Sequence, residues 1–105
     1  MNVLSIAGIY GVPIRSFYSA SKFALDGFGK ALQAETAHKG ISITQCYPAY
    51  VRTNIAKNAM TGDGKTLGKT DANIANGISV EEACQDLLKA IYLKKYWITL
   101  GSMYF

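Results

Sequence analysis

The sequence predicts an α/β fold, half of a doubly wound parallel sheet. Three observations predict it. Short apolar runs rich in β-branched and aromatic residues recur at 2–6, 41–47 and 96–100. Longer stretches with helical spacing of small and apolar residues lie at 16–39 and 80–94. The order strand, helix, strand, loop, helix, strand is that of crossover units with a parallel sheet. At 105 residues the chain is one domain at most. A chain of that size buries only about two-thirds of its unfolded surface. Half the residues are apolar and 17% are charged, an ordinary globular balance.

Each element has its own signal. Val3-Leu4-Ser5-Ile6 is a short buried strand that ends at Ala7-Gly8. The loop 7–16 holds two glycines and Pro13. The helix 16–39 takes Ser16 as its N-cap and Gly40 as its stop. Ala20, Ala24, Gly27 and Ala31 form a small-residue stripe at helical spacing, expected to lie against the sheet, with Phe23, Phe28 and Leu32 to either side. Ile41, Ile43 and Cys46 give 41–47 the pattern of a central strand, where the hydroxyls of Ser42 and Thr44 can bond locally. The stretch 53–78 carries Gly62, Gly64, Gly68 and Gly77 and few large apolar residues. A loop of that length is functional or disordered, and 54–60 is expected as a short helix within it. Ser79 and Glu82 have the spacing of a capping box. The helix that follows turns Ala83, Leu87, Leu88, Ala90 and Ile91 to the core and runs to about residue 94. Lys89, Lys94 and Lys95 suit its negative end.

Several classes of function are disfavoured. The net charge is +4, with basic residues spread from Arg15 to Lys95 and only Lys94 and Lys95 adjacent. A nucleic-acid surface would cluster them on one face. Cys46 and Cys84 match no metal-ligand spacing and are expected as small buried apolar groups in a reducing compartment. His38, the sole histidine, sits near a helix end, where the dipole favours its charge. Charged residues interrupt every apolar run, so no segment has the length of a membrane span.

One spacing carries chemistry. On a helix, Tyr18 and Lys22 stand one turn apart on the same face. A free phenol titrates near pH ~10, too high for proton transfer at neutral pH. A neighbouring cation favours the phenolate, which makes the pair a candidate acid/base. With seven tyrosines and eleven lysines and arginines, this spacing alone is common by chance. Its surroundings give it weight. Ser5 ends the first strand, where open parallel sheets place their ligands. Pro48-Ala49-Tyr50-Val51-Arg52-Thr53 follows the second.

Ser5 on a strand, Tyr18-Ser19-Ala20-Ser21-Lys22 on a helix, then Pro-x-x-Val-x-Thr after a strand resembles the second half of a short-chain dehydrogenase/reductase. The likeness covers roughly Val3 to Lys95. It is closest to the hydroxysteroid-dehydrogenase-like branch, which shares Tyr-Ser-Ala-Ser-Lys-Phe-Ala-Leu-x-Gly-Phe, here Tyr18 to Phe28. The resemblance implies a Rossmann-like fold and a hydride exchange between NAD(P)(H), NADP(H) slightly favoured, and a secondary alcohol or ketone. It implies Tyr18 as general acid/base, Lys22 as its electrostatic partner and a ligand of the nicotinamide ribose, and Ser5 as a donor to the carbonyl oxygen. Val51 and Thr53 would meet the carboxamide, and Pro48 would shape the turn beneath it. Tyr18 and Lys22 thus serve cofactor as well as catalysis, and Ser5, Tyr18 and Tyr50 face the substrate. Ser19 and Ser21 are expected to be structural.

The segment 53–78 corresponds to the family's substrate-binding loop, with Tyr50, Ile55 and Met60 as apolar pocket candidates. The substrate would be a small alcohol or ketone, steroid- or lipid-like by resemblance. A homodimer or homotetramer through the Tyr18 helix is implied as well. Two departures stand out. The family has Pro-Gly where this chain has Pro48-Ala49, and alanine would cost about 1 kcal/mol or more if the position needs a positive φ or close approach of the cofactor. The Gly-rich phosphate turn also has no counterpart here: Gly62-Asp63-Gly64 lies in a loop. Residues 1–105 are therefore expected to be a partial domain lacking the dinucleotide-phosphate half, and inactive alone. The alternative is a truncated, inactive paralogue acting through helix-mediated dimerisation. Compartment stays open between cytoplasm and, with an upstream anchor, endoplasmic reticulum.

Overall fold

The computed structural model describes residues 1–101. Its sheet has three parallel strands: β1 (Asn2–Val3), β2 (Gln45–Pro48) and β3 (Trp97–Leu100), in that spatial order. Asn2 stands opposite Gln45, and Gln45 opposite Trp97. A helix, α1 (Ser16–Thr36), connects β1 to β2. A short helix, α2 (Ala72–Ala75), and a longer one, α3 (Val80–Tyr92), lie between β2 and β3. Side chains alternate along β2. Gln45 and Tyr47 point to α1, while Cys46 packs with Ala83 and Leu87 of α3 and with Leu100 and Ile98. The helices therefore cover opposite faces, as in a doubly wound sheet. No helix among the described residues is long and apolar enough to cross a membrane.

The elements are shorter than expected, for local reasons. β1 stops at Val3 because Ser5 caps a 3-10 turn, Ile6–Gly8, although Leu4 still donates its N–H to Cys46 at 2.7 Å. β2 begins at Gln45, not at residue 41. Ile41 and Ser42 are exposed, and the Ile43 N–H is taken at 2.6 Å by the Gln33 side chain instead of a strand. Helix α1 is entered from a turn with Ile14 at φ 63, which leaves Arg15 in the N-cap position and makes Ser16 the first helical residue. Its far end holds: a 3-10 turn through His38 closes on Gly40 at φ 74. Ser79 accepts the Glu82 N–H at 3.1 Å, so the predicted cap forms. Helix α3 ends at Tyr92. It buries Ala83 and Ala90 and half-buries Leu87, whereas Leu88 and Ile91 are 67% and 43% exposed. Leu88 sits one residue, ~100°, past the half-buried Leu87, and Ile91 one residue past the buried Ala90.

The expected short helix at 54–60 is a single turn, closed by Asn58 N–H to Asn54 at 2.8 Å. The chain then forms a hairpin-like tongue. Met60 pairs with Thr66, and Leu67 and Gly68 donate back to Ala59 and Lys57. Gly64 at φ 79 supplies the turn at its tip. Cys46 is fully buried, which pushes its thiol up to about 11. Cys84, expected inside, is exposed, because it follows the buried Ala83 round the helix.

The largest correction concerns α1. The stripe Ala20, Ala24, Gly27 and Ala31 faces outward and is exposed. The inward stripe is Ser19, Lys22, Asp26, Gly29 and Gln33, at the same three-four spacing but polar or small. Each polar member bonds across the seam or to the loop. Ser19 accepts the Val12 N–H at 3.3 Å, Lys22 donates to the Val3 carbonyl at 3.2 Å, and Gln33 holds Ile43. Asp26 is only 8% exposed and accepts the Tyr47 hydroxyl at 2.6 Å. Leu25, beside this stripe, adds the apolar contact with Leu4, Ile6 and Tyr47.

Burial alone would push the Asp26 carboxyl up, but bonds from Lys30, Tyr47 and Gln45 and the Lys30 charge outweigh it and hold it below the usual range. Burial and the bond to Asp26 push the Tyr47 phenol far up. A carboxyl lowered in the folded state stabilises fully above its unfolded pKa of ~3.9 and loses that contribution as pH falls through the depressed value. Denaturant midpoints should therefore fall as the medium is taken below pH ~4, and Asp26→Asn should flatten that part of the curve. A variant with the same acid dependence would exclude Asp26 as a source of it.

Candidate active site

Parallel strands put their carboxyl ends at one edge of the sheet, and the candidate residues follow there. Ser5 leaves β1, and Pro48–Thr53 leaves β2. The Ser5 hydroxyl accepts the Ala7 N–H at 3.2 Å. Its own proton is thereby left to donate elsewhere. The turn after Ser5 lies directly on α1. A Cβ on Gly8 would stand 3.0 Å from the Lys22 backbone carbon and oxygen, so glycine is what permits the approach. Tyr18 and Lys22 share one face of α1, with the ammonium 5.6 Å from the phenol ring centroid. Lys22 carries three protons and gives one to Val3, two residues before Ser5. Tyr18 is 43% exposed and lines an open cavity of about 330 Å³ with Ile14, Arg15, Ser16 and Phe17.

The Gly8 contact and the Lys22–Val3 bond set the turn after Ser5 against the Lys22 turn of α1, and Tyr18 stands one helical turn before Lys22. The hydroxyls of Ser19 and Ser21 are engaged with backbone, Ser21 donating to the Tyr18 carbonyl at 2.7 Å. The segment after β2 is held in its own way. Pro48 pairs with Leu100, and Ala49 donates to the Leu100 carbonyl at 2.9 Å. Ala49 does not adopt a positive φ: the non-glycine residues with positive φ among those described are Ile14 and Lys94. Val51 forms a parallel bridge with Ile78, Ile78 N–H bonds the Tyr50 carbonyl, and Arg52 N–H bonds the Ile78 carbonyl. Thr53 is exposed and its hydroxyl accepts the Ile55 N–H at 3.4 Å. Tyr50 is half-buried, while Ile55 and Met60 are 71% and 76% exposed; none of the three lines the cavity beside Tyr18.

The family model for short chain dehydrogenases matches residues 1–64. The chain belongs to the short-chain dehydrogenase/reductase family. Its three parallel strands and flanking helices are a partial Rossmann-like fold of that family. Among curated relatives, a dehydrogenase/reductase SDR family protein 7-like of Drosophila melanogaster is 38% identical over 93 residues, covering 89% of this chain and 28% of the relative. Dehydrogenase/reductase SDR family member 7B of Mus musculus is 42% identical over 93 residues, covering 89% and 29%. That of Danio rerio is 36% identical over 101 residues, covering 96% and 33%. The chain thus spans a third or less of the length of these relatives.

Two glycines, Gly8 and Gly77, support this edge through close contacts that local sequence does not reveal. Gly8 seats the Ser5 turn on α1. Gly77 fits over the Tyr50 carbonyl, where a Cβ would lie 2.6 Å from the Tyr50 carbonyl carbon and 2.9 Å from the Val51 nitrogen. Both signals were visible as glycines flanking the motifs, but the close approach depends on a partner remote in sequence. Gly77→Ala should cost about 1–3 kcal/mol by overpacking against backbone. Gly62→Ala, with nothing within 4 Å of the added carbon, should stay within about 0.5 kcal/mol. Urea titration of both variants measures the contrast, and equal losses would contradict it.

Proposed function

We propose that this chain is the active-site half of an NAD(P)(H)-dependent oxidoreductase that interconverts a secondary alcohol and a ketone. The observation that supports it most directly is the Lys22–Tyr18 pair set one turn along α1 beside the Ser5 turn, in a chain of this family. Tyr18 gives its phenolic proton to the substrate oxygen in the reducing direction and takes it back in the oxidising one. Ser5, whose oxygen already accepts the Ala7 N–H, donates a hydrogen bond to the same oxygen, keeping its proton, and stabilises the charge that develops there. Lys22 keeps a cation beside the phenol.

The residues present fit the nicotinamide–ribose end of the cofactor. Lys22 has protons beyond the one given to Val3, and these suit ribose hydroxyls. Val51 and Thr53 would hold the carboxamide above the turn at Pro48. When bound, the nicotinamide supplies or accepts the hydride. The adenosine and pyrophosphate would rest on a Gly-rich half belonging to the remainder of the protein. Substrates of apolar, steroid- or lipid-like character match Ile14 and Phe17, which are fully and 92% exposed beside Tyr18.

A homodimer through α1 is part of the same reading. The outward stripe Ala20, Ala24, Gly27 and Ala31 lets a second helix come close, and Phe28, 58% exposed, offers apolar area beside it. Ala24→Arg should then shift the protein to a smaller mass on size-exclusion chromatography with light scattering. An unchanged mass would remove α1 as the interface.

The catalytic assignment is tested with Tyr18→Phe in the full-length protein. NADPH is supplied with a long-chain alkyl methyl ketone and with a keto-steroid. Turnover should fall by ~10²- to 10⁴-fold or more. The melting temperature should hardly change, because one half-exposed hydroxyl is removed. Turnover equal to the parent's would refute Tyr18 as the acid/base.

A further inference from the structure

Asp26 lies in the middle of α1, one turn after Lys22 and two after Tyr18, and its carboxylate bonds to other partners. Its carboxylate accepts the Tyr47 hydroxyl at 2.6 Å, Lys30 at 2.7 Å and the Gln45 side-chain amide at 3.4 Å. The same Gln45 amide donates to the Asp26 backbone carbonyl at 3.0 Å, and its oxygen accepts Asn2 at 2.8 Å. Gln45 is fully buried. One side chain therefore ties α1, β2 and β1 together at a single node. Gly29 makes room for it: a Cβ there would collide with the Gln45 oxygen and lie 2.6 Å from the Asn2 amide nitrogen.

The position of this node matters for the chemistry. Tyr18 and Lys22 ride on one helix, so their mutual spacing survives any shift of that helix. Ser5 follows β1 and is carried by the sheet. Its distance from Tyr18 is set by how α1 lies on the sheet. Apolar contact, here chiefly Leu25 with Leu4, Ile6 and Tyr47, is non-directional and tolerates sliding. Hydrogen bonds do not, because they weaken steeply off their preferred distance and angle. The node lies ~6 Å along the axis from Lys22.

We propose that Asp26, with Gln45 and Tyr47, acts as a positioning device that fixes the slide and rotation of α1 on the sheet, and so aligns Tyr18 and Lys22 with Ser5. This rests on the catalytic reading above. It assigns a mechanistic role to residues outside the Ser-Tyr-Lys set and its cofactor contacts. Misplacement of reacting groups by ~1 Å can cost on the order of a hundredfold, so a small slip of the helix is enough.

The test is a double-mutant cycle in the full-length protein, with NADPH and whichever of the two ketones is turned over faster. Asp26→Ala should lower kcat by ~10- to 100-fold at temperatures where circular dichroism shows it folded. Its KM for NADPH should move far less. Asp26→Asn, which keeps the acceptor for Tyr47, should recover most of the loss. Ser5→Ala should cost much less in the Asp26→Ala background than in the parent, because alignment with Ser5 is already gone. Should Asp26→Ala fail to fold, Tyr47→Phe takes its place in the cycle. Unchanged kcat, or an equal Ser5→Ala factor in both backgrounds, overturns the proposal. Tyr18→Phe separates the two failures. If it is inactive while the cycle is additive, only the alignment role falls. If it is fully active, the catalytic reading falls and the alignment role with it.

Discussion

A carboxylate brought under a helix costs several kcal/mol in lost hydration unless its partners replace the water. Asp26 sits in that situation, and the structure meets the cost with a phenol, an amide and an ammonium. The rest of the chain is set by that arrangement. The seam between α1 and the sheet is largely polar, while the apolar contacts under it come from a handful of residues. Among the largest fully buried side chains stand Leu100, Gln45 and Cys46, and the polar one belongs to this seam. Each such bond contributes only about 1 kcal/mol net, yet leaving one unmade costs more than that. What the seam supplies is therefore less overall stability than a single permitted seating of α1.

The seating has consequences at the edge of the sheet. Ser5 and Pro48–Thr53 emerge from neighbouring parallel strands, so their relation follows from strand pairing. Tyr18 and Lys22 arrive from a different layer. Two contacts join the layers near the chemistry: Gly8 against the Lys22 backbone and Lys22 against the Val3 carbonyl. Both need α1 to lie close to the first strand. Close backbone approach without a Cβ is what glycine offers, and Gly8 supplies it one turn of chain after the serine it supports.

Much of this was legible in the sequence. The three strands, the two long helices, the Ser79 cap and the Gly40 stop are local features, and each is present, although the first two strands are shorter than their apolar runs. The Ser5, Tyr18-x-x-x-Lys22 and Pro48-x-x-Val51-x-Thr53 motifs were legible because each lies within a few residues of chain. The facing of α1 was not. Two stripes share its three-four spacing, one small and apolar, one polar, and periodicity cannot say which turns inward. Hydrophobicity favoured the wrong one. The polar stripe is inside because Gln45, Tyr47 and Asn2 wait beneath it, and no local rule links residue 26 to residues 45 and 47. Ile41 was misplaced for a like reason: its strand pattern is real, but Gln33 claims the neighbouring backbone N–H first. Cys84 shows the same limit on a smaller scale, since one step round α3 separates the core from solvent.

The long excursion after β2 is tied off at its base. Loop closure costs free energy only slowly with length, so a segment of this size is cheap to carry if its two ends are pinned. Here they are. Val51 bridges Ile78, Arg52 and Ile78 exchange bonds with their neighbours, and Gly77 lies over Tyr50. That closes the excursion beneath itself, like a drawstring, at the base that carries Tyr50 and Val51. The tongue at Met60–Thr66 can then change length or side chains without moving Pro48 or Val51. The pinned base and the Asp26 seam fix the two halves of the edge separately, one from the loop side and one from the helix side. Only where they meet, at the oxygen shared by Ser5 and Tyr18 in the proposed reaction, must both be correct at once.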